Sequence, residues 1–178
     1  MTTDRRFCSF ARGGRSGLGI DEIPEDGFRI SVFLIIRESE TGRRVLMGHM
    51  NPAGPWDHIG ALDSERVKVH SRGWMFPSCH LMYGEAPYDC ARRIAEEQLN
   101  NTNIRFSVPA VYSEVYKPKR FPGLRHHWDL EFLYAGIMSR NDVLRTEHAW
   151  LDMEFVDIDA TPSEKIARSH EDIMEHLK

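Results

Sequence analysis

Residues 74–100, WMFPSCHLMYGEAPYDCARRIAEEQLN, decide the fold. Their second half, 86–99, reads as a helix: Pro87 falls in the first turn, where a missing N–H costs nothing, and Cys90, Ala91, Ile94, Ala95 and Leu99 recur at helical spacing. Arg92, Arg93, Glu96 and Glu97 lie off that stripe. A short turn containing Gly84 and Glu85 precedes it. Such a turn lets backbone approach a ligand, and carboxylates on one helix face can share a hard cation that also meets phosphate oxygens. In outline this is a pyrophosphate site.

Outward from this segment, the pattern is one of strands. FRISVFLIIRE, from Phe28, is β-branched and almost continuously apolar, as a strand buried on both faces should be. SETGR supplies a turn, and RVLMGHM returns as the second strand of a hairpin. The linker at 51–73 is punctuated by Pro and Gly, which argues against one continuous element. Beyond the helix, FSVPAVYSEVY and HHWDLEFLYAGIM read as strands flanking the basic loop KPKRFPGLR. Alternation in the second places His127, Asp129 and Glu131 on one face and Trp128, Leu130, Phe132 and Tyr134 on the other. AWLDMEFVDI is a further strand, and 162–178 reads as a closing amphipathic helix with Ile166, Ile173 and Leu177 inward. The order implies an α/β fold with a mixed sheet between helices.

Composition bounds the function. The 178 residues, 41% of them apolar, suit one core, with residues 1–20 a loosely ordered arm and 21–178 a single domain. A net charge of −4 with interspersed signs gives no basic stripe for long nucleic acid. Cys8, Cys79 and Cys90 are widely spaced and odd in number, which points to reduced thiols and a cytoplasmic protein rather than to a disulfide framework. No apolar run approaches a membrane span, and the first twenty residues contain no continuous apolar segment of the signal-peptide kind.

The segment resembles the Nudix box, commonly written G-x5-E-x7-R-E-U-x-E-E-x-G-U with U a bulky aliphatic. Ungapped, Glu85 falls on its first glutamate, Arg93 on its arginine and Glu97 on the first glutamate of its terminal pair. Cys79 replaces the leading glycine, Ile94 and Gln98 replace two glutamates, and Asn100 replaces the closing glycine. A one-residue shift restores an acidic pair at Glu96 and Glu97 but sets Arg93 on a glutamate position. The likeness extends over roughly 28–157, and NPAGPW with the later GW resembles the GDP-mannose mannosyl hydrolase branch, which works with a reduced metal site.

The resemblance implies a Nudix-like α/β/α sandwich and divalent-metal-dependent hydrolysis of a nucleoside diphosphate joined to another group, such as a nucleotide sugar. The alternative is a protein of this fold that binds such a ligand without cleaving it. Magnesium or manganese is expected on Glu97, Glu96, Glu85 and Glu131, with Glu97, Arg93 and His127 catalytic. His126 and Asp129 are further sources of a ligand or base, imidazole being suited to proton transfer near neutrality. Trp74, Arg72, Lys119 and Arg120 are expected to bind substrate. Apolar strand edges allow a homodimer.

Overall fold

The computed structural model describes residues 27–116, 127–140, 148–167 and 170–178; the expected N-terminal arm lies outside them. Six strands form one mixed sheet: β1 (Phe28–Arg37), β2 (Arg44–Met50), β3 (Ser78–His80), β4 (Ala110–Tyr116), β5 (His127–Ile137) and β6 (Trp150–Asp157). The order is β4-β5-β1-β2-β6, with β3 beside β1. The central pair, β1 with β5, is parallel from Phe28↔Trp128 to Arg37↔Ile137. On its other side β1 meets β2 only at Arg37↔Val45, and β3 fills the space nearer its start, Ser31↔His80 to Phe33↔Ser78.

Alternation along β1 and β5 feeds two cores. Val32, Leu34, Ile36 and Tyr134 pack against Cys90, Ala91, Ile94 and Leu99 of α3 (Pro87–Leu99). Phe33, Ile35 and Leu133 face the opposite way and meet Ile173 and Met174 of the closing helix α4 (Glu171–Leu177). The expected sandwich of helices about a mixed sheet is therefore present. Every residue of the apolar stripe foreseen for α3 is buried. The helix ends at Asn100, whose φ of 49° is left-handed, a conformation that Asn tolerates better than most non-glycine residues.

Two elements differ from the sequence expectation. The linker holds two short helices, α1 (Trp56–Ile59) and α2 (Ser64–His70), the latter capped by Asp63, whose carboxylate accepts the Arg66 amide at 2.9 Å. Their apolar residues, with Met50, Met75 and Trp150, form a third core. Between these helices and α3, β3 starts at Ser78, and Met75 ahead of it bridges Gly48 alone. The closing helix is shorter than expected, because Ile166 adopts extended geometry and pairs with Trp74 after a 3-10 turn at Ser163–Lys165. A tertiary bridge here overrides the helical pattern.

Candidate functional site

The turn into α3 is built around Glu85. Gly84 has φ +80°, the Glu85 amide donates to the Met82 carbonyl at 3.0 Å, and the Glu85 carboxylate accepts the Met82 amide at 2.9 Å. Both carboxylate oxygens also receive Arg93: Nε to Oε1 at 2.7 Å and Nη2 to Oε2 at 2.9 Å. This two-pronged pair keeps the Glu85 carboxyl below its usual range and the guanidinium firmly charged. Arg93 continues to the His80 carbonyl at 3.2 Å and to the sulfurs of Cys79 and Cys90 at 3.5 and 3.3 Å. Both cysteines are free and buried, and burial pushes both thiols up.

Glu97 lies one turn beyond Arg93, its Oε2 3.6 Å from Nη1. That oxygen is buried and accepts no hydrogen bond. Glu96 is exposed. The two remaining box positions are occupied structurally. Ile94 is in the α3 core. Gln98 is fully buried; its amide nitrogen donates to the Ile59 and Ser78 carbonyls at 2.7 and 2.8 Å, and its oxygen accepts the Ser78 amide at 3.2 Å. Gln98 thus ties α3 to β3 and the α1 turn.

The expected residues do not all meet. Arg93, Glu85 and Glu97 come together on α3 and its leading turn. Glu131 and His127 point to the other side of the sheet, since they fall on the same face of β5 as Leu133, which packs against α4. The four glutamates expected on a metal do not gather in one place: Glu85 pairs with Arg93, and Glu131 lies on the face of β5 that Leu133 turns to α4. Among the described residues no three His, Cys, Asp or Glu side chains lie close enough to hold a metal ion. Trp74 packs against His49 with ring centroids 3.9 Å apart and lines a shallow groove with Arg44, Glu154 and Lys165. Arg72 is exposed just after α2. Lys119, Arg120 and His126 lie outside the described residues.

On the α4 side, a cavity opens between β1, β3 and β5. His127 Nε2 meets Asp129 Oδ2 at 2.7 Å, and both are almost wholly buried beside Glu131. Burial, then the neighbouring Asp172, Asp129 and Glu114, push the Glu131 carboxyl up to about 9, so it is protonated at neutral pH. Asp172 rises to about 7, chiefly by burial. His80, 3.1 Å from Ser31 Oγ, is pulled down to about 4 by burial and by Arg29. Arg29, Ser31 and His80 line this cavity without having been foreseen, and Arg66 of the linker lines it too. The signal for the first two is the parallel register, which sets Arg29 beside Asp129 and Ser31 beside Glu131.

No family model and no curated protein matches the sequence. Solved structures do match. The dihydroneopterin triphosphate pyrophosphohydrolase of E. coli is similar at 17% identity and TM-score 0.52, over 84% of this chain and 95% of that one. The MutT protein of Methanosarcina mazei Go1 gives 14% and 0.57, over 84% and 92%. The NUDIX domain of Shewanella oneidensis NrtR, complexed with ADP ribose, gives 13% and 0.53, over 84% and 85%. At these identities the likeness is one of architecture: the chain has the Nudix fold.

Proposed function

We propose that the protein hydrolyses a nucleoside diphosphate linked to another group, such as a nucleotide sugar, using a divalent cation, Mg2+ or Mn2+, held at α3. The observation that carries this reading is the buried Oε2 of Glu97, which accepts no hydrogen bond, beside the Arg93–Glu85 pair. An all-protein metal cage is absent among the described residues, so a preformed tight site does not fit. Magnesium, however, commonly binds through one or two carboxylates plus substrate phosphates. Glu97, with exposed Glu96 next to it, fits that mode. When bound, the cation would neutralise diphosphate charge and polarise a phosphoryl oxygen. Arg93, fixed by Glu85, holds a permanent positive charge next to the carboxylate. One similar structure holds ADP ribose, a nucleoside diphosphate joined to a sugar, which supports the substrate class. The free thiols of Cys79 and Cys90 suit a reducing, cytoplasmic setting, and half-exposed Val111 and Val115 on edge strand β4 suit a homodimer.

The second reading, binding without cleavage, is favoured by one feature: Ile94 and Gln98 give two box positions to packing and backbone hydrogen bonds. The test is incubation with Mg2+ or Mn2+ and a panel of nucleotide sugars, dinucleotides and triphosphates, with products resolved by chromatography. Product release that EDTA stops and Glu97→Gln abolishes is expected. Turnover indifferent to Glu97→Gln would remove this site assignment. No product, with one panel member raising the melting temperature, would select the binding reading.

A further inference from the structure

Strand β4 ends the sheet order and, among the described residues, pairs on one side only. Its sequence, AVYSEVY, holds no lysine, arginine or proline of the kind that blunts an exposed edge. Val111 and Val115 are 51% and 49% exposed, and Ser113 between them is exposed as well. An edge of this kind is a template for another strand.

The backbone fixes which groups lie open on it. In β5 the amides of Trp128 and Met138 donate to the Gly27 and Arg37 carbonyls at 2.9 and 3.0 Å, so even-numbered residues turn their backbone groups to β1. On the other side the Ala135 carbonyl accepts the Ser107 amide at 2.9 Å. Asp129 and Glu131 therefore turn theirs to β4, where they stand opposite Glu114 and Tyr112. Opposed residues of an antiparallel pair either bond to each other or both face away. Val111, Ser113 and Val115 accordingly aim their N–H and C=O groups out of the sheet edge.

We infer that these groups pair with the same groups of a second copy, antiparallel about a two-fold axis at Ser113, so that two six-stranded sheets become one. This rests on the homodimer proposed above and not on the hydrolytic reaction. The axis sets Ser113 on Ser113 and Val111 on Val115 in both directions, with about six backbone hydrogen bonds. Side chains select this register over its neighbours. An axis at Glu114 opposes two carboxylates directly. An axis at Tyr112 sets Val115 against Pro109, which has no N–H to donate. With the axis at Ser113, Glu114 meets Tyr112 of the second copy instead. Tyr112 stacks on His176 with ring centroids 3.8 Å apart, and His176 Nε2 lies 2.6 Å from Glu114 Oε1, so carboxylate and imidazole alternate around the axis. That self-match in charge and shape commits the edge to a copy of this chain.

The test is sedimentation equilibrium of the full chain, joined to cross-linking at the axis. The parent is expected to be a dimer. Val111→Lys combined with Val115→Lys, both at exposed positions, should keep the circular-dichroism spectrum and give a monomer. Leu151→Lys on β6, the opposite edge strand, replaces a side chain 66% exposed and should stay dimeric. Cα atoms of a hydrogen-bonded antiparallel pair lie ~5.5 Å apart, within disulfide range. Ser113→Cys oxidised with copper phenanthroline should therefore give a covalent dimer well above the parent background, and thiol should reverse it. This cross-link decides the matter if the lysine variant loses its spectrum. A monomeric parent, its edge taken by the chain's own first residues or by nothing, overturns this inference and the homodimer together. A dimer that survives both lysines, or that Ser113→Cys fails to lock, overturns the β4 pairing and leaves the homodimer to another face.

Discussion

Restoring the box glutamate at position 98 should damage the protein rather than repair it. In Gln98→Glu the amide nitrogen that donates to Ile59 and Ser78 carbonyls at 2.7 and 2.8 Å becomes a carboxyl oxygen facing two acceptors. Ionised, it would be repelled by both within a fully buried site, so it must fold protonated. Holding a glutamate of unperturbed pKa ~4.3 protonated at pH 7 costs about 3.7 kcal/mol. The single proton can serve only one carbonyl, and the other loses its donor for about 1–3 kcal/mol more. A total of about 5 kcal/mol is large against the usual ~5–15 kcal/mol of a domain. For a chain of this size it corresponds to a fall of roughly 10–20 °C in melting temperature. The sign with pH follows from the raised folded pKa: the penalty is small below about pH 4, where both states are protonated, and grows as pH rises through the unfolded value. Thermal unfolding of the variant and the parent at pH 4 and pH 7 measures both effects. A melting temperature within about 2 °C of the parent at pH 7, or a penalty independent of pH, would refute the anchoring role of this amide.

Other consequences are equally direct. Arg93→Ala strands Glu85 in a site where the pair is 15% and 9% exposed, and should cost about 2–4 kcal/mol in urea unfolding. Arg93→Lys, which keeps charge but loses the fork, should fall between the two. Because the folded pKa of Glu131 is raised to about 9, its contribution to stability is intact below the unfolded value and is lost as pH rises toward 9. Glu131→Gln should therefore leave stability near pH 4 little changed and raise it by roughly a few kcal/mol at pH 8; parallel pH profiles for the two proteins would contradict this. Gly73→Ala places a Cβ 2.6 Å from the Ala167 amide, which donates to the Trp74 carbonyl, and should lower the melting temperature by several degrees, about 1–3 kcal/mol.

Local pattern revealed α3 and the strands well, because Pro87 and the stripe from Cys90 to Leu99 are signals contained in a few turns. It also showed correctly that His127, Asp129 and Glu131 share a face. Alternation does not say which face meets which helix. That depends on the parallel pairing of β1 with β5, a long-range relation with no local signature, and so Glu131 was grouped with the α3 glutamates from which the sheet divides it. The Glu85–Arg93 pair was legible as two box positions, but its closure through the Met82 turn was not. Gln98 looked like a lost carboxylate; only its three backbone partners show that it holds α3 to β3. Ile166 kept its inward position while leaving the helix, because burial is compatible with either geometry.

The parallel β1–β5 pairing also shapes how the chain must be made. Phe28 pairs with Trp128, one hundred residues later, and the offset holds along the whole strand. At ~5–20 residues per second on a ribosome, β1 emerges roughly 5–20 s before its principal neighbour exists. During that interval FRISVFLIIR, without proline or glycine and largely apolar, has neither β5 nor α4 to cover it. Such a segment is prone to associate with other nascent chains. Synthesis rate and chaperone supply should therefore govern the soluble yield of this protein more than its final stability does.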